Sequence, residues 1–433
     1  MHITYADPGL VSEVGYHANA CRFITGALRA RGHNVSVAAF QGVQAELAAE
    51  LGARPHFRLN TYWGNDGDPV CGWLNAFFAS ANALSEDLTR LGPFNSDDLI
   101  YVNSVLPAQL MGLRSFLLGL PDDALPHVVA ELGTGPGLDF VQTDVGPRLV
   151  ARDPRVDSRA TLYRFAGTQI KTARFPKLHV CSFDRASSET YALLLGIDVP
   201  TLPVPHFTDA APRRRGGQRP IVIGVLGHQR GEKGYQLVPA IAEQLLRTRD
   251  DIRFLIHNAQ PDFMADTQAH MRRLAANDDR ITLDERPAGP ELWRDLLDRS
   301  DLILCPYMPD QFRAAYSALA SEAVAHAIPL VVPAETTLAR VVADFGGPGT
   351  SFTGSSTESV TAAVAQALDG FDELADRAMA ASLQWRATMG AAHMVDAMLA
   401  LTAGADMLGR LTRRSRSRAP VTSSLPTSAQ KVA

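Results

Sequence analysis

The segment FRAAYSALASEAVAHAIPLVVP, residues 312–333, carries a lone carboxylate, Glu322, among alanines, serines and short apolar side chains. Ser317 stands where a helix would be capped, which leaves the N–H groups of Ala318, Leu319 and Ala320 unpaired and open to an anion. Glu322 lies four residues beyond Ala318, roughly 6 Å along a helix axis at about 1.5 Å per residue. That is about the separation of a pyrophosphate from its ribose, so a carboxylate here can accept hydrogen bonds from two adjacent ribose hydroxyls. Ala314, Ala315, Ala318, Ala320 and Ala323 let a ligand and a neighbouring strand approach closely. Taken alone, Glu322 is an ordinary solvent-facing helix residue; a second feature turns the reading toward a ligand.

That feature is GHQRGEKG, residues 227–234, between the apolar run VIGVLG and the helical segment YQLVPAIAEQL. Gly227 ends the run, Gly231 and Gly234 keep the loop free of bulk, and Arg230 and Lys233 place two cations beside a helix start. A forked donor and a compact point charge next to free N–H groups suit a phosphate. Glu232 cancels part of this charge, so the loop persuades only together with Glu322.

The corresponding loop near the start, ADPGLVSEVGYH, has Gly9 and Gly15 before a helix but no GxGxxG spacing, which argues against a dinucleotide. No HExxH or DxD-like run appears and the twelve histidines are scattered, so neither a metal nor any other cofactor is expected.

These loops need a scaffold. At 433 residues the chain exceeds what one core usually supports. Short apolar runs alternate with segments of helical period, the pattern of parallel sheets with crossover helices. In the first half the runs are residues 3–7, 35–40, 98–104, 127–132 and 177–183; in the second, 220–227, 251–258, 280–285, 301–307 and 328–333. Between the halves, PVPHFTDAAPRRRGGQRP (203–220) loses all periodicity. The division expected is a domain at 1–204, a linker at 205–219, a second domain at 220–385, a helix at 386–405 packing back across both, and a tail at 406–433. The tail holds five arginines from residue 410 onward with no acid and is expected to be disordered, with weak attraction to an anionic membrane surface as its sharper reading. A net charge of −5 speaks against nucleic acid. Four dispersed cysteines, no apolar leader and no membrane-length run lead to the expectation of a cytoplasmic protein.

G-x-x-R-x-x-K-G after the first strand of a second α/β domain, followed about eighty residues later by a small-residue helix with a glutamate and then IPLVVP, resembles the donor half of GT-B glycosyltransferases. The likeness is to the large retaining, bacterial, nucleotide-sugar-dependent family (glycosyl transferases group 1 type), and it covers roughly residues 220–345; the first half matches only in general form, including RGHNVSV (31–37). It implies an α/β fold of two Rossmann-like domains facing each other across a cleft, and sugar transfer from a nucleotide-sugar donor without a metal. It carries the donor diphosphate to Arg230 and Lys233 as the catalytic charges, with Gly227 beside them. The amides of Ser317, Ala318 and Leu319 go to the phosphates and Glu322 to the ribose. The first domain would bind the acceptor, for which a sugar, a lipid-linked molecule and a protein all stay open. Gly15, His17 and Glu131, which ends HVVAEL, are the substrate-binding candidates there.

Two positions depart from the family. An acid usually stands eight residues before the ribose glutamate, where this chain has Ala314, and Arg313, Tyr316 and Ser317 are expected to take over its contacts. A glycine usually precedes the IPVV-type strand, where this chain has Ala327; a left-handed alanine costs roughly 1–2 kcal/mol, so a different turn is expected. A nucleotide-sugar epimerase, a phosphorylase on the same fold, or a silent nucleotide-sugar-binding partner protein are the alternatives.

Overall fold

The computed structural model describes residues 1–64, 71–144, 146–173, 175–206, 211–216 and 220–416. Its strands are β1 (His2–Asp7), β2 (Asn34–Phe40), β3 (Ala53–Phe57), β4 (Leu99–Val102), β5 (His127–Glu131), β6 (Leu138–Thr143), β7 (Gly146–Ala151), β8 (Leu178–Cys181), β9 (Ile221–Val225), β10 (Ile252–His257), β11 (Ile281–Asp284), β12 (Leu302–Leu304), β13 (Leu330–Pro333) and β14 (Gly349–Phe352). They form two six-stranded sheets, ordered β3-β2-β1-β4-β5-β8 and β11-β10-β9-β12-β13-β14, and a two-stranded hairpin of β6 and β7. Every neighbouring pair within the two large sheets is parallel, and only β6–β7 is antiparallel. The central strands are buried on both faces, as the continuous runs LIYV and LVVP require.

Each of the ten apolar runs forms a strand. Strands β3, β14 and the β6–β7 hairpin add to them. ARPHF and GTSF sit at sheet edges, where one side faces solvent and polar residues are tolerated, so neither shows a run.

In both sheets the strand order reverses beside the first strand, between β1 and β4 and between β9 and β12. Loops leaving the carboxyl ends of strands at such a point diverge and open a crevice. Here the two crevices face each other.

The last two helices, Phe371–Thr388 and Ala391–Arg416, tie the halves together. Ser382 Oγ donates to the carbonyl of Ala325 at 2.6 Å, and Trp385 is fully buried beside it. The next helix packs on the helix Tyr16–Ala30, where Arg31 grips Asp396 at 2.8 Å. Met394 and Met398 thus share one apolar core with Leu28 of the first half and Val324 of the second. The backbone stays helical through residue 416, into the stretch expected to be a tail, and 417–433 lie outside the described residues, as do parts of the expected linker, 207–210 and 217–219. Among the described residues no helix is long and apolar enough to cross a membrane.

Ala327 corrects an expectation. It does adopt the left-handed conformation, with φ 56°. The helix Ala318–Ala325 closes through Ala327 N–H to Val324 O at 3.1 Å and Ile328 N–H to Ala323 O at 2.9 Å, and these bonds with complete burial outweigh the strain.

Candidate nucleotide-sugar site

The facing crevices enclose a cavity of about 290 Å³. Loops after β1, β4 and β5 supply one wall, including Gly15, Tyr16, Ser104 and Thr134; loops after β9 to β12 and the start of the helix Ala318–Ala325 supply the other. Of the residues singled out in sequence, Gly15, Gly227, Lys233, Ser317, Ala318, Leu319 and Glu322 line this one cavity.

The glycine loop does not lead straight into an α-helix. Two short 3-10 turns, Gly231–Lys233 and Tyr235–Leu237, precede the helix Val238–Thr248. Lys233 is therefore presented by the loop one turn before the helix start. Gly227 has φ 108°, and its N–H donates to His257 Nδ1 at 3.3 Å. His257 Nε2 in turn lies 2.9 Å from the Arg286 carbonyl, so the ring is the neutral tautomer with its proton on Nε2. Burial lowers the His257 pKa, which fits that tautomer.

Lys233 is half-buried, its ammonium 5.6 Å from the Tyr307 ring centroid. Among the described residues its Nζ makes no hydrogen bond or ion pair. Burial, and then the nearby Arg230 charge, push its pKa down to about 8.

Glu322 is 3% exposed, and its Oε2 accepts a hydrogen bond from Trp293 Nε1 at 2.8 Å. Burial pushes its pKa up to about 7 against that donor. Oε1 has no protein partner among the described residues. Ser317 occupies the N-cap, yet its side chain makes no capping bond, so the first amides of the helix have no side-chain partner.

Arg230, His17 and Glu131 do not line the cavity. Arg230 is drawn to the rim: its guanidinium lies 5.8 Å from the Phe263 centroid, Nη2 3.2 Å from His228 Nδ1, and Nη1 3.6 Å from Glu232. His17 lies behind the first wall, with Nδ1 2.8 Å from Asp7 Oδ1 and Nε2 2.8 Å from the Tyr62 hydroxyl. Burial pulls its pKa down, but Asp7 and Tyr62 outweigh that and raise it to about 10. Glu131 is fully buried; its Oε2 accepts from Ser104 N–H at 2.9 Å and meets the Tyr16 hydroxyl at 3.1 Å, while Oε1 has no hydrogen-bond partner among the described residues. Burial raises its pKa to about 7. Ser104 itself lines the cavity in a left-handed conformation, φ 53°, fixed in part by this carboxyl.

Ala314 is buried outside the cavity, and Arg313 is turned to Glu335 at 2.8 Å and to Asp310 at 3.6 Å. Of the three residues expected to replace the missing acid, Tyr316 and Ser317 reach the cavity and Arg313 does not. Sequence reasoning missed Tyr62, Ser104, His206, Trp293 and Tyr307, all of which line it. His206 sits in PVPHF, whose prolines read as linker; its ring stacks on Tyr316 with centroids 5.8 Å apart and so bridges the two halves. Among the described residues no group of three or more His, Cys, Asp or Glu is arranged to hold a metal.

No family model matches the chain, and no curated protein matches its sequence. Solved structures do match its shape over nearly the whole length. HepE of Anabaena in complex with UDP and glucose aligns with a TM-score of 0.61 at 14% identity, over 94% of this chain and 99% of that one. Sucrose-phosphate synthase of Thermosynechococcus elongatus aligns at 0.61 and 13% identity, over 97% of this chain and all of that one. The chain has the GT-B fold. A glycosyltransferase from Rickettsia africae shares the GT-B arrangement at a TM-score of 0.61 and 13% identity, covering 93% of this chain and 98% of that one. HepE structures also contain UDP alone and UDP-glucose. Across a GT-B fold the interdomain cleft is where the cavity described above lies.

Proposed function

We propose that the protein is a glycosyltransferase that takes a sugar from a nucleotide-sugar donor, a uridine diphosphate sugar such as UDP-glucose, and passes it to an acceptor hydroxyl. Supporting this is the convergence of Lys233, the amides that open the helix Ala318–Ala325, and Glu322 on one cavity of a GT-B fold. Lys233 and the helix mouth hold the diphosphate, Gly227 lets it approach the backbone, and Glu322 Oε1 accepts from the ribose.

In the transfer, the bond from the anomeric carbon to the diphosphate oxygen breaks, with its electron pair leaving on that oxygen. The acceptor oxygen bonds to the same carbon, and its proton leaves with the diphosphate or to water. Charge builds on the leaving oxygen, so a cation and amides already aimed at it lower the barrier beyond what they add to ground-state binding. Arg230 stands at the rim, where it adds to the positive potential. We propose that no resident metal takes part, so chelators leave transfer unchanged. Retention of anomeric configuration follows from the sequence resemblance and is read by NMR of the first product formed.

The test is a thermal-shift series with UDP, GDP, ADP and UDP-glucose. At about 100 times its dissociation constant a ligand stabilises by about 2.7 kcal/mol. The shift with UDP should vanish in Lys233→Ala and shrink in Glu322→Ala. Equal shifts in all three proteins contradict the site, and binding of UDP-glucose with no transfer to any hydroxyl points instead to a silent binding partner.

A further inference from the structure

The two walls of the cavity differ in charge. Lys233 and Glu322 both belong to the second half, and among the described lining residues they are the only Lys, Arg, Asp or Glu. The lining histidines are neutral near pH 7, because burial pushes His206 down to about 3 and His228 to about 4 and lowers His257. The first wall offers hydroxyls, an amide and rings: Tyr16, Asn19, Tyr62, Ser104, Thr134 and His206.

Cations near this wall are engaged elsewhere. Arg22 does not line the cavity; it is paired with Glu13 and with Glu50 and donates to Asn19 Oδ1 at 3.2 Å, and His17 is paired with Asp7. Among the described residues, a phosphate placed against this wall would lose its water without gaining an unpaired cation from it, which is strongly unfavourable.

Two observations favour a neutral ligand with many hydroxyls. His206 is 1% exposed, its ring lines the cavity, and neither ring nitrogen has a hydrogen-bond partner among the described residues. A neutral imidazole carries one donor and one acceptor, which a pair of hydroxyls satisfies. Tyr62 is 53% exposed yet rigidly held, its hydroxyl tied through His17 to the buried Asp7, and Trp63 beside it is 37% exposed. An exposed, preorganised aromatic edge at a cavity mouth gives a sugar ring an apolar face to stack on.

We infer that the acceptor is an uncharged saccharide, seated against the wall formed by residues 14–206 with one ring on Tyr62 and its hydroxyls meeting Asn19, Ser104 and His206. This rests on the proposed glycosyl transfer, and it excludes sugar phosphates and lipid phosphates as acceptors.

The experiment is saturation-transfer NMR on the UDP-saturated protein with glucose, maltose and N-acetylglucosamine, set against glucose 6-phosphate and fructose 6-phosphate. Saturation of at least one neutral sugar is expected, with no stronger binding of either phosphate. Tyr62→Ala should weaken that binding at least tenfold and Tyr62→Phe about threefold, both with the UDP thermal shift retained. Should Tyr62→Ala fail to fold, Asn19→Ala takes its place with the same expected loss. Tighter binding of a phosphate, no saturation of any neutral sugar, or full affinity in the alanine variant overturns the inference. A missing UDP shift in the wild type would instead strike at the glycosyltransferase reading itself, so the two failures are told apart.

Discussion

Trp293 Nε1 donates to Glu322 Oε2 across 2.8 Å, joining the helix Pro290–Arg299 to the helix Ala318–Ala325 at the cavity wall. One carboxylate oxygen is thereby fixed and the other is left for a ligand. Trp293→Phe keeps most of the ring and removes the donor, so Glu322 is freed to rotate and its pKa climbs further. UDP affinity at pH 7 should fall about three- to tenfold, about 0.7–1.4 kcal/mol, which is the net worth of one ordinary hydrogen bond. Calorimetric titration of both proteins checks this, and unchanged affinity would show that the indole does not set the carboxylate.

Donor binding should follow a bell in pH. Glu322, with its pKa raised to about 7 by burial, is the better acceptor when ionised, so affinity falls as pH drops below that value. Lys233, lowered to about 8, loses its proton above that value, and each further pH unit then costs up to about tenfold. The maximum is expected between the two. Glu322→Gln should flatten the acid limb alone, which fluorescence titration with UDP from pH 5.5 to 9.5 would reveal; an acid limb that survives in the glutamine variant assigns it elsewhere.

Gly234→Ala should destabilise the protein by about 3 kcal/mol or more, from left-handed strain and a steric clash together. At φ 70° an added Cβ would stand 1.8 Å from the Pro306 carbonyl oxygen, and both are backbone positions with little room to yield. Relief of the clash must move the turn that carries Lys233, so UDP binding falls as well. Urea unfolding measures the first effect; a loss under 1 kcal/mol would mean the loop has slack that this packing does not show.

What the sequence disclosed follows from how local each signal is. Ten strands were legible because buried parallel strands read as continuous apolar runs, and β3 and β14 were not because edge strands tolerate Arg, His, Thr and Ser. Lys233 and Glu322 could be singled out because each sits in a short stretch, and the two together pointed to a ligand where neither did alone; both line the cavity. Tyr62, Ser104 and His206 stand far apart in the chain and meet only because the strand order reverses beside β1 and the chain crosses at residue 206. His17 was misplaced for a related reason: its position after the loop glycine says nothing of Asp7 and Tyr62, which hold its two nitrogens in the layer behind the wall.

Glu131 offers a test of that layer. Its folded pKa is raised to about 7, above the ordinary carboxyl value of 4.5 that the unfolded chain keeps. The folded state therefore holds a proton that the unfolded state has lost between those values. The stabilisation from this group is complete below about pH 4.5 and disappears as pH rises through about 7, a change on the order of 3 kcal/mol. Glu131→Gln keeps the shape without the titration. Its stability relative to wild type should rise from pH 5 to pH 8, and this difference cancels the opposite contributions of His206 and His228, whose pKa values are lowered in both proteins. Urea unfolding of the pair at the two pH values reads it directly. A gap that stays constant would mean that the carboxyl is ionised at both, with its charge met by a partner the buried Oε1 does not show.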